Sequence, residues 1–358
     1  MNYAAITKKG LEGLSKLEIE NQGNKAISDS FFVSFDCEDI IKLMYSVRLP
    51  SYILSVTSKG SFTSFDDLVS KINYDVPKGK TFRVNVTRNG EHSFLSVDVE
   101  RALAKAHDNV NLDNPDIIAR VFIQDNDYVA GLDMAGFDLS KRQYKVFNHP
   151  SSLNGSVAIA ASLFADFSEG DTFLDPLSFD GSIVIEAALY ASKMSVHYFD
   201  KKFDCESWLG SYDFSPLDKD ILPESESSVI YALDPQFKNL SAMKKNAKIA
   251  GVADYLNFAK CDIDDLDIKF YRKAVDLIVT RPLEPSKKVS ESFAKEVTSS
   301  IFLRGVEFLS GYGRIVFVSK KPDFCTELAN SFDFDLVDSL KIYQGKSIYY
   351  LLKFVRRS

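Results

Sequence analysis

From residue 151 to the C-terminus, strand patterns and helix patterns take turns, and that alternation leaves very few folds open to the chain. A helix rich in small residues (LNGSVAIAASLFADF) comes first. Short apolar runs then predict strands over 172–174, 229–233, 256–258, 275–280 and 314–318. Helices are predicted between them over 182–192, 237–250 and 290–309. Parallel neighbours need a crossover long enough to hold a helix, so this pattern predicts a parallel, doubly wound sheet. After a helix over 324–330 come two strands, 334–342 and 347–355, with Gln344-Gly345 as the turn between them.

A parallel sheet finished by a C-terminal hairpin is the plan of a class I (Rossmann-like) methyltransferase fold, not of a dinucleotide dehydrogenase. The first 150 residues are patterned differently. They read as a strand over 3–7, a helix over 11–21 with the stripe Leu11, Leu14, Leu17 and Ile19, a strand over 31–35, a helix over 40–47 and a strand over 52–57. A helix over 64–72 follows, with Ser64 as N-cap and Asp66-Asp67 in its first turn. Next come an alternating strand over 81–88, a helix over 96–106 and a hairpin made of 117–124 and 128–134. The expected division is an α+β ferredoxin-like domain over 1–60, a second small domain over 61–146 and the doubly wound domain over 147–358. The stretch 195–228 is a long connection, read either as a lid or partner surface or as an insertion on the sheet edge.

Composition removes several function classes. No apolar run approaches the ~18 residues of a membrane span, and MNYAAITKKG lacks the apolar core of a signal peptide, so a cytoplasmic protein with no membrane partner is expected. Cys37, Cys205, Cys261 and Cys325 are far apart, as are His92, His107, His149 and His197; reduced thiols and no metal are expected. Residues 1–150 hold 18 Lys+Arg against 20 Asp+Glu, and the remainder 25 against 30, so neither part is basic. That speaks against broad electrostatic binding of nucleic acid, and DNA is not expected as a partner, while a local basic face stays open.

Four places carry the chemistry of a doubly wound sheet, whose ligands bind at the C-terminal ends of strands. In FLDPLSFDGSIVIEAA the first strand ends at Asp175-Pro176, and Gly181-Ser182 opens a helix. Asp234 ends the next strand, where a carboxylate can accept from both hydroxyls of a ribose. Asp262 follows the third strand, placed to reach an adenine amino group, and DLIVTRPLEP runs from Asp276 through the fourth strand into a Pro-rich loop. Each has a plainer reading: Asp175 as a loop cap, Asp234-Pro235 as a helix start, Asp262 as part of an acidic surface stretch. Their order at the ends of consecutive strands favours a cofactor site.

With these motifs the chain resembles the THUMP-domain RNA methyltransferases, which modify guanine N2 in tRNA or 23S rRNA. ITKKGLEGLSKLEIENQG resembles their opening strand and helix, and TFRVNVTRNGEHSF with DVERAL resembles the THUMP core. VNLDNPDIIARVFI, GLDMAGFDLSKRQYKV and NHPSSLNGSVAIAASL continue the series, and LDP, GS, IEAA, YALDP and DLIVTRP follow in order. The resemblance implies S-adenosylmethionine (SAM) as cofactor, held by Asp175, Gly181, Asp234, Asp262 and Asp276, and a structured RNA as partner. It places Arg83, Arg88, Lys141, Arg142 and Lys145 in the RNA-binding half, and Arg281, Pro282 and Glu284 in the target-base loop.

Two loops depart from the family pattern. The cofactor loop, Asp-Pro-x-x-Gly-Ser-Gly-Thr in the family, has Phe179 for the first glycine and Asp180 for the serine. A Phe there has to swing away or fill the methionine end of the pocket. The base loop, Asn or Asp followed by Pro-Pro and an aromatic, is Arg281-Pro282-Leu283-Glu284. Arginine only donates, so it cannot accept from the guanine amine, and Glu284 stands where a ring would stack. Two readings follow: an RNA methyltransferase with altered loops, and a non-catalytic descendant that binds structured RNA or a protein. A small-molecule or protein methyltransferase is a weaker third.

Overall fold

The computed structural model describes residues 2–268, 270 and 274–357, which form two compact units. The first holds the residues up to Thr7, Ser15–Ser140 and His197–Phe214; the second holds Lys8–Leu14, Lys141–Val196 and the residues from Ser215 on.

The first unit is built on one sheet. Its elements are β1 (Tyr3–Ile6), α1 (Glu12–Asn21), β2 (Ala26–Ser28), β3 (Val33–Phe35), α2 (Ile40–Ser46), β4 (Tyr52–Ser61), α3 (Phe65–Lys71), β5 (Phe82–Asn89), α4 (Ser96–Ala104), β6 (Ile117–Gln124) and β7 (Asp127–Asp133). The strand order is β2-β3-β1-β4-β7-β6-β5. The first four strands with α1 and α2 make an antiparallel βαββαβ pattern of ferredoxin-like type. β4 is long enough to pair with β1 through its first half and with β7 through the rest, so the sheet runs on past residue 61. β6 and β7 form the expected hairpin, and β5 joins β6 in parallel. Ser64 caps α3 as expected, accepting the Asp67 N–H at 3.1 Å. Three-residue β2 gave no alternation to read.

The second unit contains α5 (Gly155–Phe164), β8 (Phe173–Asp175) and α6 (Ser182–Ala191). α7 (Glu206–Leu209) lies in the stretch that belongs to the first unit. The second unit resumes with α8 (Ser215–Asp218), β9 (Ile230–Asp234), α9 (Phe237–Ala250), β10 (Leu256–Lys260) and β11 (Val275–Thr280). It ends with α10 (Glu291–Phe308), β12 (Leu309–Ser319), α11 (Pro322–Asn330), β13 (Phe334–Gln344) and β14 (Ser347–Arg356). The order is β10-β9-β8-β11-β12-β14-β13, parallel from β10 to β12, with β14 antiparallel to both its neighbours. This is the expected doubly wound sheet with its terminal hairpin. Gly345, at φ +59°, opens the hairpin turn.

α5, α6 and α9 pack side by side, and α10 packs on α11. Phe302 of α10 is fully buried and centres the core, with ring centroids 5.1–5.4 Å from those of Phe317, Phe334 and Phe354. β8, β9, β10, β11 and β12 are parallel, so Asp175, Asp234, Lys260, Thr280 and Ser319 end them on one edge of the sheet.

The connection over 195–228 is neither a lid nor an edge insertion in its first half. Residues 197–214 pack into the first unit: Phe203, 1% exposed, stacks on Phe137 with centroids 6.0 Å apart, and Trp208 lies on the core of β5, β6 and β7.

Candidate functional site

The loop after β8 is the tightest part of the sheet edge. Gly181 is the N-cap of α6 at φ +84°, and a Cβ there would lie 2.7 Å from Met243 Cγ, so glycine is required twice over. Phe179 also has positive φ, +50°, where a side chain is uncommon and strained. Its ring swings out of the loop and stacks on His149, with centroids 4.8 Å apart and planes at 17°. Asp180 turns inward: its carboxylate accepts from the Ser182 hydroxyl at 2.7 Å and lies 3.7 Å from Lys145 Nζ. The Phe179 ring is thus accommodated locally, whereas the buried Asp180 Oδ2 has no hydrogen-bond partner among the described residues.

Asp175 is 1% exposed and accepts the Leu177 N–H at 3.1 Å. Burial pushes its pKa up to about 7, against the lowering effect of Thr280 and the Leu177 N–H. Asp234, also 1% exposed, accepts the N–H groups of Gln236 at 2.8 Å and Phe179 at 3.0 Å, and the Asn239 amide at 3.1 Å. Burial raises its pKa as well. Asp262 follows β10 on the same edge, exposed, with Oδ1 toward the Asp264 N–H.

Asp276 is a correction. It stands at the start of β11, and its carboxylate accepts the Thr172 N–H at 2.9 Å beside the start of β8. In a parallel sheet that is the edge opposite the strand ends, so Asp276 leaves the cofactor set.

Arg142 and Lys145 are corrected too. Arg142 makes a two-pronged ion pair with Glu186 of α6 at 2.7 and 3.1 Å, and the two side chains are 1% and 0% exposed. The Tyr144 hydroxyl donates to the same carboxylate at 2.8 Å. Lys145 Nζ donates to Ser152 Oγ, Leu153 O and Ser182 Oγ, each at 2.6 Å. These two cations bind the linker to the cofactor loop and to α6 and have little left for a phosphate. Lys141 is exposed. Arg83 and Arg88 lie half-buried on β5; Arg83 donates to Leu112 O at 3.4 Å, and Arg88 sits beside His92 and over the Phe94 ring.

The base loop is fixed by its own substitutions. Glu284 accepts from the Ser319 hydroxyl at 2.5 Å and from the N–H groups of Lys320 and Lys321 at 2.6 and 3.2 Å, at the entrance to α11. Its Oε1 serves as a helix-end cap. Pro282 is buried, and the Leu283 carbonyl accepts the Thr298 hydroxyl at 2.9 Å. Arg281 donates to the Ser151 carbonyl and lies over the Tyr349 ring, 5.5 Å from its centroid.

Sequence reasoning missed His149 and Asn246. His149 stacks on Phe179, and its pKa is lowered by burial although Asp180 and Asp234 face it. Asn246 of α9, 1% exposed, accepts the Phe147 N–H at 3.0 Å and donates to the carbonyls of Phe147 and Asp180, both at 3.0 Å. The usable signal for His149 was Phe179 itself: an aromatic in a glycine's place needs a surface to lie on.

Residues 142–335 match the family described as RMKL-like, methyltransferase domain, and residues 61–133 match the THUMP domain. The chain is 27% identical over 372 residues to the tRNA (guanine(6)-N2)-methyltransferase of Methanocaldococcus jannaschii, covering 96% of this chain and 97% of that one. It is 29% identical over 301 residues to the enzyme of the same description from Archaeoglobus fulgidus, covering 78% and 73%. Among solved structures, SMU.472, a putative methyltransferase complexed with SAH, superposes with a TM-score of 0.82 at 17% identity, covering 100% of this chain and 98% of that one.

Proposed function

The chain belongs to the RMKL-like methyltransferase-domain family and carries a THUMP domain, and from that premise we propose that it transfers a methyl group from SAM to a guanine amine in a structured RNA, a tRNA or an rRNA, in the cytoplasm. One observation carries the reading: Asp234 ends β9 in a buried position directly beside the β8–α6 loop, whose Phe179 N–H it accepts at 3.0 Å. A carboxylate at that point suits a ribose diol. The Methanocaldococcus jannaschii relative, matched over nearly its whole length, and the Archaeoglobus fulgidus relative are tRNA (guanine(6)-N2)-methyltransferases by description.

The site fits the cofactor despite its two departures. The Phe179 ring lies on His149 instead of in the loop's path, and the Asp180 charge is offset by Lys145. Asp234 would hold the ribose, exchanging the Phe179 N–H for a hydroxyl, and Asp262 would meet the adenine amine. Gly181 gives the backbone its close approach, and buried Asp175 shapes the floor of the loop. SAM would supply a methyl group on a sulfonium: bonding of that methyl to an amine nitrogen breaks the methyl–sulfur bond, releases S-adenosylhomocysteine as a neutral thioether leaving group, and costs the nitrogen one proton. Arg83, Arg88 and Lys141 are the residues proposed to meet RNA phosphates.

A second reading, a non-catalytic protein that binds RNA or a protein, is favoured by Glu284. Its Oε1 is taken by Ser319, Lys320 and Lys321, and Arg281, which stands where the family pattern has an Asn or Asp, only donates. Calorimetry with SAM and SAH, followed by labelled methyl transfer to transcribed tRNA and rRNA fragments, separates the two. Binding plus transfer that is lost in Asp234→Ala supports the enzyme. Absence of binding at millimolar ligand sinks it.

A further inference from the structure

The Arg281 position is not a damaged amine acceptor but a site of opposite polarity. The Ser151 N–H donates to His149 Nδ1 at 3.0 Å, so in the neutral ring the proton sits on Nε2, which is a donor. The Ser151 carbonyl accepts from Arg281. One backbone residue thus sets the tautomer of His149 and holds the guanidinium. Arg281 and Lys320 lie over the same ring, Tyr349, at 5.5 and 4.8 Å from its centroid. Among the described residues no carboxylate forms an ion pair with the side chain of Arg281 or Lys320, and Oε1 of the acid in this loop, Glu284, caps the entrance of α11.

The carboxylates that face His149 are engaged as well. Asp234 is held by two N–H groups and the Asn239 amide; one oxygen of Asp180 accepts from Ser182, and the other lies 3.7 Å from Lys145 Nζ. The edge beyond β11 and β12 therefore holds two cations whose acceptors are neutral: the Ser151 carbonyl for Arg281 and, at 3.2 Å, the Ser347 hydroxyl for Lys320 Nζ.

We propose that Arg281 and Lys320, with His149 Nε2–H, form a binding site for an oxyanion: a backbone phosphate of the RNA, or the carboxylate of the cofactor. Arginine forks and lysine ammonium groups suit such oxygens. The proposal rests on the proposed function for the identity of the two anion sources.

The test uses full-length Arg281→Gln and Lys320→Gln, with thermal unfolding as a folding control. Binding of transcribed tRNA is measured across salt concentrations, and SAH and 5′-methylthioadenosine, which lacks the carboxylate, are titrated by calorimetry. If the anion is a phosphate, each variant lowers the slope of log affinity against log salt by about 1, and SAH affinity is unchanged. If it is the carboxylate, Arg281→Gln weakens SAH by about tenfold or more and leaves 5′-methylthioadenosine unaffected. Wild-type levels of all these quantities in both folded variants overturn the proposal. If wild-type protein binds neither RNA nor SAH, the proposed function fails instead. Inorganic pyrophosphate then reads the site directly: it raises the unfolding temperature of wild type but not of Arg281→Gln, and equal response in both overturns the inference.

Discussion

Replacing Arg142 by methionine tests whether the Lys-Arg-x-Tyr stretch binds RNA or binds the protein to itself. The Arg142 and Glu186 side chains are 1% and 0% exposed and meet through two hydrogen bonds, and Tyr144 adds a third to the same carboxylate. Removing one member of a buried pair leaves the other charge without compensation, at a cost of about 3–5 kcal/mol. For a unit of roughly 200 residues, each kcal/mol lowers the unfolding temperature by about 2–4 °C, so Arg142→Met should lower it by roughly 6–20 °C. The apolar triple variant Arg142→Met, Tyr144→Phe and Glu186→Leu removes all three partners of this cluster together, and it should recover most of the loss. Differential scanning calorimetry at neutral pH reads both. A shift below about 2 °C in the single variant, together with weakened RNA binding, would refute the burial argument and return Arg142 to the RNA surface.

Asp175→Asn should flatten the pH dependence of stability. The folded carboxyl keeps its proton up to about pH 7, whereas its ordinary value is 3.8; the wild type therefore loses stability as pH rises between those values, and denaturant titrations at pH 5 and pH 8 should show the variant losing less. Phe179→Gly should be more stable than Phe179→Ala by about 1 kcal/mol, because only glycine relaxes the φ of +50° while both lose the stack on His149; equal stability by urea titration would mean the loop is not strained. Asp276→Ala should cost about 1 kcal/mol through the Thr172 N–H it leaves unpaired and leave SAH affinity unchanged; a tenfold loss of affinity would put Asp276 back in the site.

The sheet of the second unit was legible because parallel strands buried on both faces write themselves as short apolar runs, and the helices between them as amphipathic ones. Asp175, Asp234 and Asp262 were legible for the same reason: the end of a strand is a place that pattern alone can find. Asp276 misled because it belongs to the same strand as the base loop, and six residues of extended chain put it on the far edge. Arg142 misled because a cation reads as surface until its partner is known, and Glu186 lies 44 residues away on α6. The insertion over 195–228 misled in the same way, since no local pattern says that Phe203 and Trp208 complete the core of the other unit.

The two loop departures are one feature rather than two. Phe179 needs a surface for its ring and finds His149. His149 is oriented by the Ser151 N–H, and the Ser151 carbonyl is the group that receives Arg281. Asn246 clamps both Phe147, two residues before His149, and Asp180, the residue after Phe179. A glycine at 179 would leave His149 without its stack, and an asparagine at 281 would have to reach the Ser151 carbonyl with a shorter side chain. Here the aromatic in the cofactor loop and the arginine in the base loop are joined through one ring stack and two contacts to the backbone of Ser151. Phe179→Gly should therefore disturb anion binding at Arg281, measured with pyrophosphate, although the two residues lie on different strands' loops; an unchanged response would show that they are independent after all.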